Sequence, residues 1–193
     1  MKIGIDLRPI SWGVSGGIVP LVKYLLNQVF DDYSSDNFFV FCSPFNRDIL
    51  SQSQSNIKFF TLPLHDFYSR LDDICCKDGL DVLFRTYPVE DNLKYPLEKQ
   101  IFLIPDIQHE VYPEFFDQES LRSRRIAFQR ALSGAGAIGT LSDHAKGSLL
   151  NFPTTKCRDI FLISPALSPD QMKLIPPELE SRQYDVIPKG DFF

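Results

Sequence analysis

The chain alternates short apolar runs with longer amphipathic segments. Runs such as Phe38–Cys42 are apolar at every position, which is typical of strands buried on both faces. Segments such as Ile18–Phe30 repeat apolar residues at the spacing of a helix that covers a core. The predicted strands are Lys2–Leu7, Phe38–Cys42, Ile57–Leu62, Asp81–Phe84, Gln100–Ile104, Ala137–Leu141 and Asp159–Ser164, and the predicted helices are Ile18–Phe30, Phe67–Lys77, Gln118–Leu132 and Asp143–Phe152.

Residues at the ends of these segments support the assignment. Pro20 falls in the first turn of its helix, where a missing N–H costs little. Asp117 and Ser142 each precede a helical segment and are suited to cap it, and Pro153 stops the last helix.

The alternation predicts an α/β fold, a Rossmann-like three-layer α/β/α domain around a mainly parallel sheet of six to seven strands. After Pro165 the character changes, with five prolines between Ser164 and Gly190 and no clear period. We therefore expect a domain over residues 1–166. Residues 167–193 are expected to be a linker followed by the start of a further domain.

Composition narrows the function. A net charge of −5 argues against broad contact with nucleic-acid phosphates, which needs a basic surface. The sequence contains no apolar run of about 18 residues, the length that spans a membrane. The four cysteines lack metal-ligand spacing, which favours reduced thiols in a cytoplasmic protein without a bound metal.

Ligands of an open parallel sheet bind at the carboxyl ends of the strands, and two segments there carry suitable residues. The first is Gly16-Gly17, directly before a helix, where exposed N–H groups attract anions such as phosphate. A plain strand-to-helix turn explains the pair equally well. The pattern is not GxGxxG, which weighs against a nicotinamide cofactor.

The second segment is Pro105–Phe116, in which Asp106, His109 and Glu110 cluster after a strand. A histidine there can shuttle a proton or bind a sugar hydroxyl, and an aspartate can orient a base or a hydroxyl. The alternative is that Asp106 caps a turn and His109 is a structural polar residue. For His65 and His144 a structural role is favoured.

The predicted helix Gln118–Leu132 carries four arginines, at positions 122, 124, 125 and 130. A solvated helix face is the favoured interpretation of such a run. Contact with an anionic lipid-linked acceptor or a membrane surface is the alternative.

Two blocks resemble a known family. The segment MKIGIDLRPISWGVSGGIVPLVKYLL resembles the start of GT-B-fold glycosyltransferases of family 4, the group 1 glycosyltransferases. The segment that begins IPDIQHEVYPEFF resembles the central block of the same family, and the resemblance spans most of residues 1–166. It implies half of a GT-B fold and a retaining transfer from a nucleotide-sugar donor, as co-substrate, to a saccharide or lipid-linked acceptor.

The resemblance also assigns roles. Gly16 and Gly17 match the loop that faces the donor phosphates, Asp106 matches the acid of the H/P-D element, and His109 matches the histidine after Gln108. Many members have a histidine, often catalytic, where this chain has Pro105. We therefore expect Asp106 and His109 to be catalytic, to lie in one cleft with Gly16 and Gly17, and to act without a metal or other cofactor.

The resemblance implies that this chain is the acceptor-side domain and that a C-terminal donor domain completes the enzyme. We expect the isolated chain to be inactive, cytoplasmic, and in peripheral contact with the inner face of the membrane if the acceptor is lipid-linked. A stand-alone α/β ligand-binding or interaction module is the alternative from another class. A nucleotide-sugar epimerase or dehydrogenase is a third, weakened by the missing GxGxxG.

Overall fold

A computed structural model describes residues 1–51, 53–157 and 159–163 of the 193-residue chain. Seven strands in this part of the chain form one sheet in the order β3-β2-β1-β4-β5-β6-β7, and every neighbouring pair is parallel. The strands are β1 (Lys2–Asp6), β2 (Asn37–Cys42), β3 (Ile57–Thr61), β4 (Val82–Arg85), β5 (Gln100–Leu103), β6 (Ala137–Thr140) and β7 (Ile160–Leu162). The predicted fold class is confirmed.

The helices connect consecutive strands. They are α1 (Ile18–Asp32), α2 (Phe67–Asp78), α3 (Gln108–Val111), α4 (Gln118–Gly134) and α5 (Asp143–Asn151). Four of them match the predicted helices within a few residues. The single turn α3 was not predicted, because the segment PDIQHEVYPEFF has no helical period long enough to detect.

Helices cover both faces of the sheet. Phe38 and Val40 pack in a cluster with Val22 of α1, whereas Phe39 and Phe41 pack in a cluster with Leu71 of α2. Successive side chains of a strand point to opposite faces, so the two clusters lie on opposite sides of the sheet. A third cluster joins β5 and β6 to α4 and α5. Burial on both faces explains why the strands are continuously apolar.

The predicted helix caps are present. The Asp117 carboxylate accepts the backbone N–H of Ser120 at 2.8 Å, and the Ser142 hydroxyl accepts that of Ala145 at 3.1 Å. The caps fix where α4 and α5 begin, and with them the loops at the carboxyl ends of β5 and β6. The expected linker over residues 167–193 lies outside the described residues.

Candidate substrate-binding cleft at the carboxyl edge of the sheet

Strand order reverses between β1 and β4, and the loops that follow β1, β4 and β5 surround one cleft at that edge. Connections leave adjacent strands in opposite directions at such a point, so a crevice forms there. The cleft has a volume of about 430 Å³. Its lining includes Ile10, Ser15 and Gly16 from the first loop, Tyr87 from the second, Pro105 and Asp106 from the third, and, from helices, Ile18 of α1, Gln108 of α3 and Arg124 of α4.

Gly16 lines this cleft, and Gly17 is the residue immediately before α1. Gly16 has a φ of +50°, in the left-handed region that strains other residues, and a side chain there would meet open space. No side chain caps the start of α1 through a hydrogen bond, and its first turn contains no acidic residue. Ile18 donates its backbone N–H to the Ser15 carbonyl at 3.1 Å, and Pro20 has no N–H. The start of this 15-residue helix therefore offers an anion mainly the positive end of the helix dipole.

Asp106 lies on the opposite lip of the same cleft and is exposed. Its Oδ1 atom accepts the backbone N–H of Gln108 at 2.9 Å, which fixes the carboxylate at the start of α3. The structure therefore brings Gly16 and Asp106 to one site from loops about 90 residues apart in sequence, consistent with parallel strands that end at one edge.

His109 does not line the cleft. The side chain is 2% exposed, and its ring lies edge-on to Phe128 with centroids 4.3 Å apart. Because α3 is helical, His109 points inward while Gln108 faces the cleft. Burial lowers the pKa of His109, against the opposing effect of Glu110, whose carboxylate is 3.9 Å from Nε2. The imidazole is thus a neutral group packed behind the cleft wall.

Arg124 is a cleft residue that the sequence did not single out. Its Nη1 atom donates to the Tyr87 hydroxyl at 2.5 Å, and its guanidinium lies 4.8 Å from the centre of the Phe116 ring. Among the described residues, no carboxylate lies within ion-pair distance of Arg124. Aromatic contacts hold the side chain in place without neutralising its charge, so a cation is fixed at the cleft wall.

The other three arginines of α4 have carboxylate partners. Arg125 contacts Glu110 through two nitrogens at 3.0–3.2 Å, Arg122 lies 3.8 Å from Glu90, and Arg130 contacts Asp91 at 2.6 Å. Arg122 and Arg125 are exposed, as the favoured interpretation of this run as a solvated helix face expects, whereas Arg130 is 33% exposed and packs against the loop after β4. No spacing rule on α4 could have separated the four, because their partners come from distant segments.

A buried ionic network lies beneath the cleft, and the sequence analysis missed it. Arg85, 1% exposed, has its Nε 2.9 Å from Asp6 and donates from Nη2 to Asp91 at 2.5 Å and from Nη1 to Gln100 at 3.1 Å. Arg130 contacts the other oxygen of Asp91. The network joins β1, β4, β5, α4 and the loop after β4.

The charges in the network influence one another. Burial raises the pKa of Asp6, and the Arg85 guanidinium opposes that shift. Burial alone would also raise the pKa of Asp91, but Arg85, Arg130 and the N–H of Leu93 outweigh it, so the pKa of Asp91 is lowered. A signal for this network was present in the sequence: Asp6 and Arg85 are charged residues that end otherwise apolar strands.

Comparison with known proteins defines the class of fold. No protein-family model matches the chain, and no curated protein sequence matches it significantly. A matching solved structure, the "Crystal Structure of Arabidopsis thaliana UGT89C1 complexed with quercetin", has a TM-score of 0.52 and 14% sequence identity over 93% of this chain and 53% of that chain. UGT89C1 is a GT-B glycosyltransferase. The fold is therefore a GT-B glycosyltransferase-like Rossmann domain, and this chain spans about half the length of that neighbour.

Neither a cluster of metal-ligand side chains nor a membrane-spanning helix is present in the described residues. No group of three or more histidine, cysteine or acidic side chains is placed to hold a metal ion. None of the helices in this part of the chain combines the length and apolar character needed to cross a bilayer.

Proposed function

We propose that this chain is the acceptor-side half of a retaining glycosyltransferase of the family 4 type. The cleft carries the proposal: a glycine-rich helix start and an unneutralised arginine face an aspartate at the switch point of a GT-B-like domain. Such a constellation suits a nucleotide sugar, which presents a diphosphate next to a ring of hydroxyl groups. The resemblance of residues 1–166 to family 4 supports the finer assignment.

The donor phosphates would meet the α1 N-terminus and Arg124. The positive end of a helix dipole stabilises negative charge, and a guanidinium adds charge-assisted hydrogen bonds. The leaving nucleoside diphosphate gains negative charge as the glycosidic bond breaks, so these groups bind the transition state more tightly than the ground state. Gly16 and Gly17 let the phosphates approach the backbone closely.

Asp106 is the proposed residue that contacts the reacting sugar or the acceptor hydroxyl. In a retaining transfer, the bond from the anomeric carbon to the phosphate oxygen breaks, and the acceptor oxygen bonds to the same face of that carbon. The proton of the acceptor hydroxyl passes to the departing phosphate, so the reaction needs neither a metal nor another cofactor. For His109, which packs behind the wall, we propose a contribution through the position of α3 and Asp106.

Transfer requires a second domain that holds the nucleotide. Holding donor and acceptor in reacting geometry is worth roughly 7–11 kcal/mol, and one open wall cannot supply it. We therefore propose that activity belongs to a polypeptide in which this chain faces a donor domain. Its setting is proposed to be the cytoplasm, at the membrane if the acceptor is lipid-linked, in polysaccharide biosynthesis.

The test is a titration of the 193-residue chain with UDP- and GDP-sugars, followed by ¹⁵N NMR and calorimetry. We expect a millimolar dissociation constant and no transfer. The backbone amide resonances of Ser15–Ile18 and the Nε–H resonance of the Arg124 guanidinium should shift. The same chain within a polypeptide that carries a donor domain should bind the donor with a micromolar dissociation constant. It should also form a product that retains the anomeric configuration of the donor.

Two results would contradict the proposal. Micromolar donor binding by the chain alone would place the donor site here rather than on a second domain. Absence of shifts around the cleft with every nucleotide sugar and acceptor would favour the alternative, a stand-alone α/β binding module.

A further inference from the structure

A second concavity adjoins the cleft and differs from it in chemistry. It lies between the loops after β5 and β6, and its volume is about 830 Å³. Its surface is mainly apolar, from residues that include Ile107, Val111, Tyr112, Leu141 and Ala145. The polar residues Ser142, His144 and Ser148 also line it. We refer to it as the apolar groove.

The two sites are continuous. Pro105, Asp106 and Gln108 line both the cleft and the apolar groove, so the Asp106 carboxylate stands at the boundary. On one side of it are the helix start and Arg124, which suit charged and hydroxylated groups. On the other side the surface is mainly apolar, with Ser142, His144 and Ser148 among its polar residues.

The groove leaves apolar surface in water. Val111 lines the groove and is 56% exposed. Phe115 does not line the groove, but it stacks on the lining residue Tyr112 with centroids 5.6 Å apart and is 71% exposed. Exposed apolar side chains that are contiguous with a polar site mark a surface that a ligand covers. The polarity changes across a single residue, which fits one ligand with two unlike ends.

We propose that the acceptor is amphipathic: its hydroxyl-bearing end sits at Asp106, and an alkyl or aryl moiety attached to it occupies the apolar groove. The inference rests on the proposed function, since it names the acceptor class of that site. Each methylene buried against the groove contributes roughly a fourfold gain in affinity. A chain of several carbons, partly covered, should therefore improve affinity at least tenfold over a methyl group.

The experiment compares methyl and hexyl glycosides of glucose, galactose and mannose, all below their micellar concentrations, as ligands of the 193-residue chain. We expect the hexyl compound of the preferred sugar to bind at least tenfold more tightly. Its titration should shift the methyl resonances of Ile107, Val111 and Leu141, and both compounds should shift Gln108. Val111→Ser should remove most of the advantage of the hexyl chain.

Ile126→Ser is the matched control, because Ile126 is also a β-branched residue, 39% exposed, and lines no part of the groove. It should leave the hexyl advantage unchanged. Equal affinity for methyl and hexyl compounds, with shifts at Gln108, would overturn the amphipathic acceptor but leave the proposed function standing. Failure of both compounds to bind would count against both proposals. Nuclear Overhauser contacts from Val111 to residues 164–193 in the free protein would show that the chain fills its own groove, and would also overturn the inference.

Discussion

Arg130 and Arg124 lie on the same helix, less than two turns apart, yet they belong to regions with different physical requirements. Arg130 completes a buried network in which each charge faces an opposite charge or a polar acceptor. Arg124 borders an open cleft and contacts the hydroxyl and ring of Tyr87 and the ring of Phe116, with no carboxylate partner among the described residues. The comparison shows two roles for an arginine on one helix. Where the chain supplies carboxylate partners, the arginine stabilises the fold, and where the chain supplies none, its charge is available to a ligand.

The largest expected effect is a loss of stability when the buried ionic network is disrupted. Arg85→Met would leave Asp6 and Asp91 in the interior without their shared partner, and removal of one member of a buried pair costs about 3–5 kcal/mol. Urea unfolding of the variant should show that loss. Arg125→Met, which removes an exposed pair, is the control and should cost less than about 1 kcal/mol. Equal losses of unfolding free energy in the two variants would contradict the distinction between buried and exposed arginines.

Asp91→Asn tests the same network through pH. A carboxyl with a lowered pKa in the folded state stabilises the protein above its unfolded pKa of about 3.9, and that stability is lost as pH falls through the folded value. The free energy of unfolding of the wild type should therefore exceed that of the variant by about 2 kcal/mol at pH 7, which is the usual contribution of a hydrogen bond to a charged group. The gap should narrow below about pH 4, as followed by urea unfolding at each pH. A gap that does not change with pH would show that Asp91 does not carry the linkage.

On the open side, Arg124→Ala should reduce the affinity for nucleotide diphosphates about tenfold, since a charge-assisted hydrogen bond is lost. Its unfolding free energy should change by less than about 1 kcal/mol, because the contacts it loses are partly exposed. Arg122→Ala, on the same helix and paired with Glu90, is the control for a general change in charge. If both variants weaken binding equally, Arg124 acts only through net charge.

The smallest expected changes in stability come from substitutions of two glycines. Gly16→Ala, at φ +50°, should cost about 1 kcal/mol because the left-handed region disfavours a Cβ atom. Gly147→Ala, inside α5 with open space around it, should gain about 0.5–1 kcal/mol. Thermal unfolding of the two variants should therefore shift in opposite directions. A shift in the same direction would indicate that Gly16 is not held in its conformation by the fold.

Much of the fold could be read from the sequence, because it depends on local signals. Continuous apolar runs such as Phe38–Cys42 mark buried strands, and the caps Asp117 and Ser142 mark helix starts. The candidate site was only partly predictable. Gly16 and Asp106 were found because each follows a strand. The burial of His109 depends on α3, a single turn that has no periodic signature, and on Phe128 from another helix.

The network was not predicted for a related reason. Asp6, Arg85, Asp91 and Arg130 come from four segments, and only the strand order brings them together. No spacing between residues along the chain predicts these contacts. Arg124 and Arg130 look alike in sequence, so the difference between an arginine without a carboxylate partner among the described residues and one with such a partner becomes visible only in three dimensions.

The central position of β1 has a consequence for biosynthesis. Among the seven strands β1 is synthesised before the others, and Asp6 at its end meets Arg85 only when β4 pairs beside it. At typical translation rates of about 5–20 residues per second, the aspartate waits roughly 4–16 seconds for its partner. Until then a sheet of β1, β2 and β3 alone would have an ionisable group at an unfinished edge. The ion pair that compensates the buried carboxylate of Asp6 can therefore form only after β4 has been synthesised.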